Sequence, residues 1–304
     1  MAKVSEPCRW IDLRSALREF VLARQGTTSQ RHIRPLHWYI ACRLCLEGGF
    51  EPDEITPRPP FVVRVVGSGP NRRRAIEHDA KAGGAGEQTI LGGLRTKQVD
   101  VVLTKPGIGP VIAVSVKGTL NALRNLTNRL EEVGGDCTNL HITYPSLVYA
   151  YWAVIRANRP GPVPANAPRQ LRTKDGQVRA NDVVIAADGG PTSPVVRYHL
   201  ALSGLAGRDG IRDEVSRYEA VALTLVDPGE DAIGEMLADY PPSDSPLHLG
   251  RLFPTICRQY DLRFVYQAPD LKPRTGRKGW AEDSPAVRGW QVAEYQPRPA
   301  GEDV

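Results

Sequence analysis

The chain has 304 residues, 41% hydrophobic and 24% charged, with a formal net charge of +5 and a pI near 9.0. This composition excludes a disordered or low-complexity protein and suits one large domain or two ordinary ones; the mild positive charge favours a polyanionic partner. Five cysteines at irregular spacing argue against a disulfide framework, no signal-peptide pattern opens the chain, and the longest apolar run, Leu147 to Ile155, is half of what a membrane span needs, so a soluble cytoplasmic protein with no membrane contact is expected.

In chain order, apolar residues at helical spacing predict helices over Trp10 to Arg24 and Leu36 to Leu46, separated by the polar TTSQRH and closed by Gly48-Gly49. FVVRVV, between proline and glycine breakers, reads as a strand. NRRRAIEHDAKAG reads as a basic helical piece and GGAGEQ as a turn, after which Gln88 to Leu91 can form a strand beside the next one. Lys97 to Thr104 and Val111 to Lys117 are β-branched runs joined by KPGIGP, a hairpin. Thr119 to Glu132 reads as helical, VGGDC breaks it, Thr138 to Thr143 reads as a strand, and Pro145 opens a helix to about Arg156. Beyond a Pro/Arg/Asn-rich stretch, Asn158 to Gln177, strands are expected at Asp182 to Ala187, Ala220 to Val226 and Leu262 to Tyr266, with a helix near Ala232 to Tyr240. The implied organisation is an N-terminal helical segment (1–60), a core (61–157), a loop or linker (158–180) and a C-terminal α+β region (181–304).

The central hairpin carries the chemistry. Alternation puts Val111, Ala113, Ser115 and Lys117 on one face, with Ile112, Val114 and Val116 on the other. In the preceding strand Asp100 shares a face with Val102 and Thr104, opposite Val99, Val101 and Leu103. Matching register then brings Asp100 and Lys117 to one polar edge. Such a pair suits phosphodiester hydrolysis: a carboxylate holds Mg²⁺, the ion activates water and offsets phosphate charge, and the lysine stabilises charge or positions the water. A second acid is needed nearby.

Asp100, the hairpin and Ser115-Val116-Lys117 resemble the PD-(D/E)xK nuclease superfamily, over roughly Val99 to Glu132. Val99 stands where the superfamily has proline, and Ser115 where it has an acid. One branch of type II restriction endonucleases, those cutting around a CCGG core, reads S-x-K here and takes the displaced acid from the following helix. The residue at the matching offset after Lys117 is Glu131. At about 100° per residue, Leu120, Leu123, Leu126 and Leu130 form one stripe with Glu131 at its edge and Glu132 towards solvent.

The resemblance implies an α/β fold: a restriction-endonuclease-like mixed β-sheet core flanked by helices, with helical N-terminal and β-containing C-terminal elaborations. It implies a Mg²⁺-dependent DNA endonuclease of restriction or phage-defence type, acting on double-stranded DNA as a homodimer or higher homo-oligomer. Asp100 and Glu131 would hold the metal, Lys117 would serve nucleophile and phosphate, and Ser115 would mark the vacated position. An upstream glutamate is also expected: Glu87 is preferred for its strand context, with Glu47 and Glu77 as the other options. Arg124, Asn125, Asn128 and Arg129 on the helix, with Arg95 and Lys97, are the expected DNA contacts. The competing reading is a catalytically inactive DNA-binding module, or a subunit of a defence complex, on the same fold. Cys42 and Cys45 read as core cysteines, GSGPNRRR falls short of a phosphate loop, and Tyr144, Tyr149, Tyr151 and Trp152 read as core packing.

Overall fold

The computed structural model describes residues 6–23, 30–69, 72–121, 123, 126–167, 171, 173–289 and 295–304. Asp12 caps helix α1 (Leu13–Val21), accepting from the Ser15 amide, and Ala16, Leu17, Phe20 and Val21 turn inward. Helix α2 (Arg34–Leu46) is buried round nearly its whole circumference, so it runs through the interior and not along the surface. After the short strand β1 (Ile55–Thr56), FVVRVV and RRAIEH form an antiparallel hairpin, β2 (Phe61–Val66) and β3 (Arg73–His78). The basic piece expected to be helical is therefore a strand. It has no apolar stripe, only Ala75 and Ile76 buried, and the glycine-rich turn after β2, with positive φ at Gly67 and Gly69, folds it back on β2.

Strand β4 (Gln88–Leu91) pairs with β5 (Thr96–Val99) as expected, Gln88 facing Val99. The strand expected over Lys97 to Thr104 breaks at Asp100 into β5 and β6 (Val101–Lys105), and β6 turns back into β7 (Gly109–Thr119). Strand β7 continues through Gly118 to Thr119, where the next helix was expected to start. Helix α3 (Leu126–Thr143) then runs unbroken through VGGDC and through the segment expected to be a strand. Two glycines cost about 1 kcal/mol each in a helix interior, but Val133, Cys137 and Leu140 give a continuous buried face across them.

Strand β8 (Val148–Arg156) replaces the helix expected after Pro145, and every one of its residues is buried. A continuous apolar run is what a parallel strand covered on both faces needs. Helix α4 (Ser193–Gly204), not expected, leads to β9 (Ala220–Val226), which was. Asp182 to Ala187 carries only the end of a 3-10 turn and an isolated bridge from Ile185 to Pro191; residues 232–240 are turns with a bridge from Met236 to Val226. Helix α5 (Leu252–Asp261) continues as one π-helical turn over Leu262–Tyr266, where a strand was expected, followed by the short helices α6 (Lys272–Thr275) and α7 (Pro285–Gly289).

The protein is a mixed α/β fold. One five-stranded sheet has the order β1-β6-β7-β8-β9, antiparallel from β1 to β7 and parallel from β7 to β9. Its outer strands come from either side of the 61–157 segment. Helices α1, α2 and α5 pack one face around Phe20, Leu36, Val114, Val116, Trp152 and Ile256. Helices α3 and α4 pack the other around Ala113, Val133, Leu140, Tyr149, Tyr151 and Tyr198. All five cysteines are free, and Cys42 and Cys45 lie buried in α2 as expected. No helix among the described residues is long and apolar enough to cross a membrane.

The end of the parallel strands where β8 and β9 begin is fastened by one buried acid. Glu219, fully buried, accepts from Arg208 and Arg263 at 2.7 Å each and from the Tyr149 amide at 2.7 Å, with His141 Nε2 at 3.4 Å. Burial opposes its charge, but His141, Arg263 and the amide outweigh burial and hold its carboxyl below the usual range. Glu219→Ala leaves two buried guanidiniums uncompensated, so urea unfolding is expected to show a loss of about 3–5 kcal/mol. A folded-state pKa below the unfolded value means this contribution is complete above about pH 4.3 and disappears as pH falls through the folded value. A loss within about 0.5 kcal/mol, the size expected of an ordinary surface substitution, would contradict this role.

Candidate functional site

Asp100 sits in the break between β5 and β6, 4% exposed. One carboxylate oxygen, Oδ2, accepts from the Val116 amide at 2.7 Å. The break shifts the alternation expected across it: Val99 and Val102 both pack the α3 face, while Val101 and Leu103 pack the α2 face. Freed from regular strand geometry, Asp100 carries its second oxygen, Oδ1, to 3.7 Å from Nε2 of His37 on α2. That separation is too long for a hydrogen bond.

His37 is 2% exposed and its Nε2 has no hydrogen-bond partner. Leaving such a group unmatched costs about 1–3 kcal/mol. Burial, with Lys117 and Arg34 nearby and against the attraction of Glu87, lowers its pKa to about 3, so the imidazole is neutral. Glu87 enters from the turn immediately before β4, where the Gln88–Val99 pairing sets it beside Asp100. One ligand atom from each of His37, Glu87 and Asp100 lies within 4.8 Å of the other two, and these three form a group able to hold a metal ion. Burial raises the Asp100 pKa, offset in part by Lys117, the Val116 N–H and Lys97.

Lys117, half-buried, follows Val116 directly and brings a positive charge to both Asp100 and His37. The end of its strand approaches the helices closely. A Cβ on Gly118 would sit 2.6 Å from Ile33 Cγ2 and from Phe20 Cε2, so only glycine fits. A cleft of about 160 Å³ opens from the group, walled by Arg34, His37, Trp38, Pro57, Glu87 and Gln98. A larger cavity of about 580 Å³ between α1 and β9 is walled chiefly by apolar residues such as Leu13, Leu17, Leu223 and Leu237. It gathers no set of metal ligands, so size alone does not mark the site.

The other expected residues fall as follows. Ser115 is buried on the α3 face and hydrogen-bonded to the Tyr149 hydroxyl at 2.9 Å. Glu131 is exposed on α3 and outside the metal-capable group; Glu132, also exposed, lies 3.9 Å from Lys97. The buried acid of α3 is Asp136, which pairs with Lys97 and, at 3.1 Å, with Arg95. Lys97 and Arg95 are thus held by α3, and Asn139 Oδ1 further accepts from the Leu94 and Arg95 amides. Asn128 is exposed and Arg129 half-buried, whereas Arg124 and Asn125 lie outside the described residues. Of the alternative glutamates, Glu77 is on β3 and pairs with Arg64 at 3.3 Å, and Glu47 closes α2, paired with Arg43 at 2.5 Å. The structure joins neither to the site.

His37 was not among the expected site residues. Its signal was present: RPLHWYIACRLCL has no polar face, so a histidine within it must be buried and must answer to another group. No protein-family model, curated protein or solved structure matches the chain.

The raised pKa means that the Asp100 charge opposes folding at neutral pH. The sign follows from linkage: the folded state binds this proton more tightly, so stability is fully present at low pH and diminishes as pH rises to the folded pKa. Asp100→Asn, which retains an acceptor for Val116, is expected to melt at or above the wild-type temperature in EDTA. Added divalent ion should raise the wild-type melting temperature and leave the variant unmoved. A variant that melts well below wild type in EDTA would show that the carboxylate stabilises the metal-free fold.

Proposed function

We propose that the chain is a divalent-cation-dependent endonuclease that hydrolyses phosphodiester bonds in DNA, of restriction or phage-defence type. The observation that carries this reading is the meeting of Glu87 and Asp100 in one metal-capable group, with Glu87 lining a cleft and the charge of Lys117 bearing on Asp100 from the central strand β7. Leaving aside the hairpins β2-β3 and β4-β5 inserted between β1 and β6, the main sheet and its helices run α2-β1-β6-β7-α3-β8, with β7 and β8 parallel across α3, an order that supports the restriction-endonuclease-like fold that the S-x-K hairpin resembles.

The two carboxylates by themselves suit Mg²⁺, a hard ion that takes oxygen ligands and keeps several waters. When bound, the cation would lower the pKa of a water and neutralise charge on the scissile phosphate. The protein's own groups do the rest. The Val116 amide fixes one Asp100 oxygen and turns the other towards Glu87 and His37. Lys117 offers a fixed positive charge to a phosphate oxygen, a role that favours the more highly charged transition state. Arg34, at the cleft wall, can pair with a neighbouring phosphate. His37 is neutral and buried, so it supplies no proton. Cutting both strands of a duplex requires two such centres, which makes a homodimer part of this reading.

Plasmid cleavage with and without divalent ion tests it. Asp100→Ala, Glu87→Ala and Lys117→Ala are each expected to lower the rate by at least about 10²-fold, while Glu131→Ala leaves it within a few-fold. Loss of cleavage in Glu131→Ala with retention in Glu87→Ala would overturn this site. Absence of cleavage by the wild type, with DNA binding that survives Asp100→Ala and Lys117→Ala, would favour the inactive DNA-binding module.

A further inference from the structure

The unmatched imidazole nitrogen asks for a partner that two carboxylates and a cleft do not by themselves explain. We propose that His37 is a metal ligand, and that with Glu87 and Asp100 it forms a one-nitrogen, two-carboxylate centre selective for Mn²⁺ and its first-row neighbours over Mg²⁺.

The geometry carries this. Nε2 of His37 is buried, lacks a hydrogen-bond partner and lies 3.7 Å from Asp100 Oδ1. Two atoms bound to one ion at about 2.0–2.2 Å each stand roughly 3–3.6 Å apart, so a small inward adjustment places both on a single ion. The other Asp100 oxygen is occupied by the Val116 amide, so Asp100 offers one oxygen and binds through one bond. Glu87 closes the group from the cleft side, half-buried, its ligand atom within the same 4.8 Å set. Three protein ligands with the remaining positions facing an open cleft of about 160 Å³ describe a centre that keeps exchangeable water, unlike a closed structural site.

The donor set decides the ion. Mg²⁺ demands oxygen ligands in near-ideal octahedral geometry and gains little from imidazole. Imidazole nitrogen suits the first-row transition ions, whose affinities for mixed nitrogen and oxygen sites rise along the series from Mn²⁺. An all-carboxylate centre at this edge would favour the hard ion; the histidine shifts the preference. This inference rests on reading the site as the metal centre of the proposed enzyme, and it is tested on metal binding without DNA.

The experiment uses the full chain stripped with EDTA. Free Mn²⁺ is followed by electron paramagnetic resonance during titration, with Mg²⁺ as competitor, and pulsed measurements on bound Mn²⁺ look for coupling to an imidazole nitrogen. Expected are binding of Mn²⁺ at least about tenfold tighter than Mg²⁺ and clear nitrogen coupling. In His37→Gln the coupling should vanish and Mn²⁺ affinity fall by about tenfold or more, with Mg²⁺ affinity nearly unchanged. Equal affinity for the two ions, absence of nitrogen coupling, or coupling that persists in His37→Gln would each overturn the proposal. If His37→Gln does not fold, the wild-type coupling still decides, and Glu87→Gln at the cleft side must weaken Mn²⁺ binding. Plasmid cleavage in parallel separates the two claims. Nitrogen coupling without cleavage leaves this centre standing and defeats the nuclease; cleavage with Mg²⁺ and no coupling does the reverse.

Discussion

The hydrogen bond from the Val116 amide to Asp100 is the constraint on which this edge of the sheet depends. A side chain occupies a ladder position that backbone would otherwise fill, so the strand breaks into β5 and β6 and resumes with its faces exchanged. The break lets β5 pair with β4, which brings Glu87 to the site. It also frees one Asp100 oxygen to face α2, and it fixes the position of Lys117, the residue after the donor. Losing this bond would strand a buried amide and a buried carboxylate together, so the local fold and the local chemistry are secured by the same contact.

Two buried acids in this protein have opposite fates, and the contrast separates support from site. Glu219 receives two guanidiniums and an amide, and its pKa is lowered despite complete burial. Asp100 receives one amide and the field of a half-buried lysine, and its pKa is raised. Equal burial thus gives a satisfied charge at one end of the parallel strands and an under-compensated one at the other. A neutral histidine beside the second adds an unmatched ring nitrogen and no charge. A cation is the ligand that would satisfy both at once, and perturbed groups beside a cleft are candidate functional positions.

What the sequence disclosed follows from how local each signal is. The 97–117 hairpin, the Gln88 to Leu91 strand and its place beside Asp100 were legible, because β-branched alternation and glycine-proline turns act within a few residues. The buried cysteines of α2 were legible for the same reason. Strand β8 was not, since a continuous apolar run fits a buried helix as well as a strand covered on both sides. Glu131 illustrates a second limit, since the structure leaves it exposed and outside the metal-capable group. The expected helix phase was counted from Leu120, but β7 runs on to Thr119 and Leu120 lies outside α3. With Leu126, Val133, Cys137 and Leu140 inward, Glu131 turns to solvent and Asp136 becomes the buried acid. The meeting of His37 with residues fifty and more positions away is a tertiary fact that no local pattern encodes.

Ser115 now has a physical account. Its side of β7 meets an aromatic layer of Tyr149, Tyr151 and Tyr218, and its hydroxyl is matched by that of Tyr149. Burial raises the Tyr149 pKa, which shows how strongly this layer resists charge. A carboxylate at position 115 would enter that layer with a phenol as its partner and would be neutralised or expelled. The acid pair of a metal site therefore cannot be completed from the α3 side of this sheet. The α2 side is the one that Asp100 reaches because its strand is broken, and there Glu87 and the His37 imidazole stand beside it as a group able to hold a metal ion. Under the proposed reading the serine marks the layer that packs, and the centre would be built through the other layer of the fold.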